Sequence, residues 1–316
     1  MKKLDVILAS YNGESYIKDQ ILSILACFEH VPNIDCNVLI SDDKSSDKTV
    51  SIINELCSHD SRIQLLDDEK KGGVKLNFLH LIRNTNADYI FFSDQDDYWL
   101  PKKINLFLSE MMMSESKYQG PILIHSDLCV TDENLSPLNV SMFDYQNLNK
   151  SPSFTELLVS NSVTGCVMAC NKALIDSIKD SQINKSIMHD WYIALYASAF
   201  GHIEFIDKSM ILYRQHNNNQ VGAKAFTLTS LFSSDDYKSK VKNARDSVYR
   251  TKEQAQLFYD DFGVSLNTTD KKILEQFITT FDNSFFGRLR LFLNKKCRKK
   301  GMLRNLVFFF IYVLKV

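Results

Sequence analysis

The feature that most constrains this chain is an alternation, from residue 6 to residue 97, of short apolar runs with longer amphipathic segments. Val6-Ile7-Leu8-Ala9, Val38-Leu39-Ile40, Ile63-Gln64-Leu65-Leu66 and Tyr89-Ile90-Phe91-Phe92 have the length and continuity of strands buried on both faces. Between them, Ile17, Ile21, Leu22, Ile24 and Leu25, then Ile52, Ile53 and Leu56, then Leu76, Leu79, Leu81 and Ile82 recur at helical spacing. Strand and helix in alternation predict an α/β fold, a mostly parallel Rossmann-like sheet flanked by helices. In such sheets ligands bind beyond the carboxyl ends of the strands. Three polar clusters follow strands directly, Ser10-Tyr11-Asn12, Asp42-Asp43 and Asp94-Gln95-Asp96-Asp97, so the sheet would gather them on one rim.

Further along, Ile122-Leu123-Ile124 reads as another strand and residues 127–155 as a long polar loop. Residues 163–170 and 203–213 hold more strand-like runs, and from about Phe226 the pattern turns helical. A composition change divides the chain into residues 1–222 and a helical C-terminal region, 223–316. The formal net charge of −1 gives no long-range attraction to a nucleic acid. The seven cysteines are scattered, with no C-x-x-C pair, so neither a disulfide framework nor a zinc site is expected. Only four apolar residues follow the first five, too few for an export signal, and the expected compartment is the cytoplasm.

Asp94, Asp96 and Asp97 place three carboxylates within four residues. Their repulsion is relieved if a hard divalent cation such as Mg²⁺ or Mn²⁺ sits among them; the alternative is a solvated turn before the helix that Pro101 introduces. Asp42-Asp43, with Ser45, Ser46 and Asp47, either accepts hydrogen bonds from a nucleoside or is a capping cluster for the next helix. Lys70, Lys71 and Lys75, around Gly72-Gly73, either face a diphosphate or form a solvated surface. Asp190 sits beside apolar Ile193, Leu195 and Tyr196, where desolvation would make it a better general base; otherwise it caps a helix. Arg214 can pair with phosphate, and His216 can ligate a metal or contact a leaving group. No G-x-G-x-x-G, Walker loop or G-x-S-x-G is present, which argues against dinucleotide, ATPase and serine-hydrolase chemistry.

Together these segments resemble glycosyltransferase family 2, from about residue 4 to residue 222. Residues 6–12 are similar to the family's opening strand and nucleotide loop. Ser41-Asp42-Asp43-Lys44-Ser45-Ser46-Asp47-Lys48-Thr49 is similar to its second loop, with Lys44 where the family usually has glycine. Ser93-Asp94-Gln95-Asp96-Asp97 resembles its metal motif. Thr164-Gly165-Cys166, His189-Asp190-Trp191 and the stretch from Tyr213 to Asn219 look like a bacterial rhamnosyltransferase-like branch, in which His189 replaces the usual Glu. The resemblance implies a GT-A fold with a helical C-terminal extension. It also implies an inverting transfer of a sugar from a nucleotide diphosphate donor to a glycan hydroxyl, lipid-linked, in cell-surface polysaccharide (O-antigen or capsule) synthesis. Ser10, Tyr11, Asn12, Asp42, Lys75, Asp94 and Arg214 would hold the donor, Asp96 with Asp94 and His216 the Mn²⁺ or Mg²⁺, and Asp190 would be the base. The alternative is a catalytically silent protein that only binds nucleotide sugars.

The last 32 residues, 285–316, contain no acid but carry Arg288, Arg290, Lys295, Lys296, Arg298, Lys299, Lys300, Arg304 and Lys315. The apolar stretch 307–314 falls well below the roughly 20 residues a membrane span needs. Two expectations follow: a peripheral attachment to the inner face of the cytoplasmic membrane, or a tail packed on the domain or in a dimer contact.

Overall fold

The computed structural model describes residues 1–216, 237–294 and 296–315. The boundary read at residues 222 and 223 lies outside the described residues, as do Asn217-Asn218-Asn219 and Lys295. Four strands and three helices realise the alternation: β1 (Lys3–Ser10), α1 (Ile17–Phe28), β2 (Asp35–Asp42), α2 (Thr49–His59), β3 (Ile63–Asp67), α3 (Val74–Asn84) and β4 (Tyr89–Ser93). β1 pairs in parallel with β2 and β4, and β2 with β3, in the order β3-β2-β1-β4. The register sets Ser10 opposite Asp42 and Leu8 opposite Ser93, so all three polar clusters leave the same rim.

Alternate residues of these strands enter two cores. Ile7, Leu39, Ile90 and Phe92 pack on one side with α3. Leu4, Val6, Leu8, Val38, Ile40 and Phe91 pack on the other with Ile21 and Ile24 of α1 and Ile53 of α2. Burial on both faces is why the runs of β1, β2 and β4 are continuously apolar; the edge strand β3 departs from that expectation, half-buried over most of its length with Gln64 exposed.

The second half extends the sheet. After the short β5 (Tyr98–Trp99) and α4 (Lys103–Lys117) come β6 (Ile122–Thr131), β7 (Pro137–Asn139), α5 (Met142–Gln146), α6 (Phe154–Leu157), β8 (Met168–Asn171), α7 (Lys172–Ile178), α8 (His189–Phe200) and β9 (His202–Arg214). β8 runs antiparallel to both β4 and β6, while β6 and β9 are parallel. The expectation of a loop over 127–155 is corrected here. β6 continues to Thr131 although His125, Ser126 and Asp127 interrupt its apolar run, because Asp127 accepts hydrogen bonds from Leu128 N (2.7 Å), Phe143 N (3.2 Å) and Ser141 Oγ. With its charge satisfied by backbone donors, a buried acid can sit mid-strand.

The C-terminal helices, Tyr237–Phe262, Thr268–Asn283, Phe285–Leu293 and Met302–Phe308, share the core that holds α3 and α8. Phe258 lies 5.9 Å from the Phe154 ring and 5.7 Å from Tyr192, and Asp261 accepts from Tyr192 Oη (2.6 Å) and Gln182 N (2.8 Å). The tail packs on this assembly with one face: Phe308 stacks on Tyr312 (4.9 Å), and buried Arg288 donates to the carbonyls of Val313 and Phe281. Among the described residues no helix is long and apolar enough to cross a membrane.

A shared core predicts shared unfolding. Phe258→Ala is expected to cost about 3–5 kcal/mol in urea denaturation, with a single transition seen by both tryptophan fluorescence and far-UV circular dichroism. Two separated transitions would show that the C-terminal helices fold as an independent unit.

Candidate active site

A cleft of about 650 Å³ opens on the rim. Its lining includes Ser10 and Tyr11 after β1, Asp43 after β2, Asp94 to Asp96 after β4, Gly165, and His189 with Asp190 at the start of α8. Residues as far apart in sequence as Ser10 and Arg250 thus face one space.

On the β1–β2 side, Asp42 is fully buried and turned away from the cleft. Its carboxylate accepts from Ser10 Oγ (2.7 Å), Ser45 N (2.6 Å) and Ser45 Oγ (2.7 Å), pinning the two loops together. Asn12 does similar work: its side-chain oxygen accepts from Ser46 N at 2.8 Å. Of the adjacent acids, Asp43 is the one that reaches the cleft. It accepts from the backbone N–H groups of Lys71, Gly72 (2.8 Å) and Gly73 (2.7 Å). Burial alone would push its carboxyl up, but these amides outweigh burial and hold it below the usual range. Gly72 and Gly73 have φ of 96° and 114°, a conformation that lets successive amides converge on one carboxylate. Lys44 has φ of 62°, which accounts for the glycine expected at that position.

Two expected donor ligands lie elsewhere. Lys75 donates its ammonium to the Ser186 carbonyl, outside the cleft lining. Buried Arg214 spends its guanidinium on the carbonyls of Asp96 (Nε, 3.0 Å) and Glu133, with its plane 4.6 Å over Tyr16. It fixes the acidic loop from behind and does not line the cleft. Conversely, Asp43, read together with Asp42 as a candidate nucleoside acceptor, lines the cleft, and so does Arg250, for which no role was read. Arg250 comes from the helix Tyr237–Phe262, whose sequence carries no motif that signals a site.

The acidic loop is assembled at a cost. Burial, then the charges of Asp96 and Asp190, push Asp94 up to about 7. Asp97 is fully buried beneath it and raised well above the usual range by burial and by Asp96 and Asp94. Asp96 Oδ2 lies 2.9 Å from His216 Nε2. Lys103 is buried below the loop: it donates to the Cys166 carbonyl at 2.8 Å and sits 3.3 Å over the Trp99 ring. Burial brings this lysine down to about 7. Oxygen atoms of Asp94 and Asp97 and the Cys166 sulfur all lie within 4.8 Å of one another. Mutually repelling carboxylates with an imidazole alongside have the chemistry to hold a hard divalent cation, the role read in the sequence for Asp94, Asp96 and His216. Cys166, raised well above the usual thiol range chiefly by burial, stays protonated and adds little to such a site.

Across the cleft, Asp190 accepts from Gly165 N (3.1 Å) and Trp191 N (2.6 Å). Burial pushes its carboxyl up to about 6, against the lowering effect of these amides. His189 is buried beside it, stacked 4.1 Å from Phe78, and burial with the Lys75 charge brings its imidazole down to about 3, so the ring is neutral.

This arrangement can be set beside known proteins. The family model described as Glycosyl transferase family 2 matches residues 5–178. The dTDP-rhamnosyl transferase RfbG of Shigella flexneri is 31% identical over 229 residues, covering 68% of this chain and 74% of that protein. The Escherichia coli protein WfgD, a UDP-Glc:alpha-D-GlcNAc-diphosphoundecaprenol beta-1,3-glucosyltransferase, is 30% identical over 115 residues, 36% of this chain and 43% of its own length. The chain thus spans less than half of that second relative. In structure, the mannosyltransferase PcManGT of Pyrobaculum calidifontis, solved with GDP-Man and Mn²⁺, superposes with a TM-score of 0.53 at 13% identity, over 90% of this chain and 71% of that one. At that identity the likeness shows the fold, which is GT-A.

The separation of roles between neighbouring acids is testable. Asp42→Ala strands three donors in the protein interior and is expected to lower stability by about 2–4 kcal/mol in urea unfolding. A loss below about 0.5 kcal/mol would show that Asp42 does not tie the loops.

Proposed function

The chain belongs to glycosyl transferase family 2, and from that membership we propose an inverting transfer of sugar from a nucleotide diphosphate donor to a hydroxyl of a glycan acceptor. The observation that carries the reading is the shared cleft: Asp190 faces the acids Asp94 and Asp96 across one space. The donor's diphosphate lies toward the acidic loop, with its nucleoside toward Ser10, Tyr11 and Asp43. A divalent cation, Mn²⁺ or Mg²⁺, held by Asp94, Asp96 and His216 would supply positive charge where the leaving diphosphate develops negative charge. Arg214 and Lys103 keep the loop in place. On the opposite side Asp190 takes the proton of the attacking hydroxyl. Its two carboxylate oxygens are oriented by Gly165 N and Trp191 N, and its raised pKa makes it a stronger base than a solvated carboxylate. One acid-free side and one base suffice because a diphosphate departs without protonation, unlike the leaving group of a glycosidase.

The name of RfbG supports rhamnose as the sugar, and that of WfgD supports a lipid-linked diphosphate acceptor. The reading therefore extends to bacterial cell-surface polysaccharide synthesis, O-antigen or capsule, at the inner face of the cytoplasmic membrane.

A panel of nucleotide sugars, dTDP-rhamnose included, with and without Mn²⁺, tests the assignment by thermal shift. A true donor is expected to stabilise the chain by about 2.7 kcal/mol at 100 times its Kd. No stabilisation by any nucleotide sugar would remove the donor pocket. Asp190→Asn is expected to lower turnover about 10²–10⁴-fold while donor affinity survives. In the unsubstituted enzyme kcat/KM should rise with pH through about 6 and then level, because the base works only when ionised. Equal losses of affinity and rate in Asp190→Asn would place that carboxylate in the donor pocket instead. Asp96→Ala should abolish both activity and its dependence on added Mn²⁺ or Mg²⁺; full turnover in EDTA would falsify the role of the cation.

A further inference from the structure

The tail buries one face and leaves another apolar face open. On the helix Phe285–Leu293, residues 286, 290 and 293 fall on one side at i, i+4 and i+7. Phe286 is 80% exposed and Leu293 59%, with exposed Arg290 between them. On the next helical stretch, residues 302, 306 and 310 recur at i, i+4 and i+8. Met302 is 91% exposed, Leu306 52% and Phe310 46%. The two stretches pack on each other through Phe292, whose ring lies 6.4 Å from Phe308 and 5.2 Å from Phe309. A helix that only covers a core shows polar residues to water. Here Phe286, Leu293, Met302, Leu306 and Phe310 are exposed to water although they are large and apolar.

We infer that the stripes Phe286–Leu293 and Met302–Phe310 form a docking face for an anionic lipid bilayer. Charge selects this occupant. From residue 285 to the end the chain has no Asp or Glu, and Arg290, Lys296, Lys300 and Arg304 accompany the stripes. A second copy docking through the same face would set cations against cations, since a two-fold contact apposes identical patches. An anionic headgroup layer offers the complementary charge, with apolar side chains entering the acyl boundary. The tail is therefore a folded surface whose inner side completes the core, not a loose anchor. The inference rests on the membrane location proposed above and supplies the surface for it.

The full chain is tested by co-sedimentation with vesicles of phosphatidylcholine alone and of phosphatidylcholine mixed with phosphatidylglycerol. It is expected to pellet with the anionic vesicles only. The triple variant Phe286→Ser, Met302→Ser, Leu306→Ser should partition at least about tenfold more weakly. Arg290→Gln should weaken partition about fivefold. Because these side chains face water, the melting temperature of each variant should match that of the parent, which separates lost docking from lost folding. If the parent chain ignores anionic vesicles, both the face and the membrane location fall, while sugar transfer, assayed in solution, is judged separately. If the parent binds and the triple variant binds equally, the face alone falls. A dimer that the triple variant converts to monomer would assign the stripes to a second copy and overturn the inference.

Discussion

Four carboxylates in and beneath one cleft are the constraint on which the rest of this structure depends. Asp94, Asp96, Asp97 and Asp190 would repel one another in any arrangement that kept all of them charged and close. The fold meets that cost in several ways. Lys103 puts an amine beneath the loop, brought down to about 7 by burial. His216 pairs with Asp96, and backbone amides of Gly165 and Trp191 hold Asp190. What remains uncompensated is visible in the elevated proton affinity of Asp94, raised by burial and then by Asp96 and Asp190, and of Asp190, raised by burial. The residual tension is useful to a transferase, because a cation binds where negative charge is concentrated and a base works best where its proton affinity is raised.

Much of the nucleotide half was legible in the sequence. Continuous apolar runs follow from burial on both faces of the sheet, and parallel strands put their carboxyl ends on one rim, so the co-location of Ser10, Asp43 and Asp94 needed only the order of elements. Which of two neighbouring acids turns inward was not legible. Asp42 and Asp43 differ through the left-handed turn at Lys44 and the path of the Gly72-Gly73 loop, and neither is set by local propensity. The same limit applies to Arg214. Its side chain has the chemistry for phosphate, but the guanidinium is claimed by two backbone carbonyls that only the tertiary fold brings within reach. The strand Ile122–Thr131 was cut short at His125 because polar residues in a buried strand break the apolar pattern, and their hydrogen-bond partners come from distant segments.

The C-terminal region shows a different limit. Its helical periodicity was readable, but the partner of each helix was not. Phe258 and Asp261 bind Tyr192, two residues along from Asp190, so the helix that carries Asp190 is braced from the C-terminal region. Arg250, on that same helix, lines the cleft. Truncating this region would therefore disturb Asp190 and the cleft wall together.

That bracing bears on how a membrane-side acceptor would be handled. A tail tethered by a flexible linker would localise the protein without orienting it. This tail shares a core with the helix Tyr237–Phe262, through Phe277, Phe281 and Tyr312, and that helix in turn contacts α8. A bilayer bound to the outer face of such a tail fixes the direction in which the cleft opens relative to the lipid surface. For a lipid-linked acceptor the gain is one of orientation: the approach of the hydroxyl to Asp190 becomes a search over two dimensions with a preferred tilt, in place of free encounter in solution.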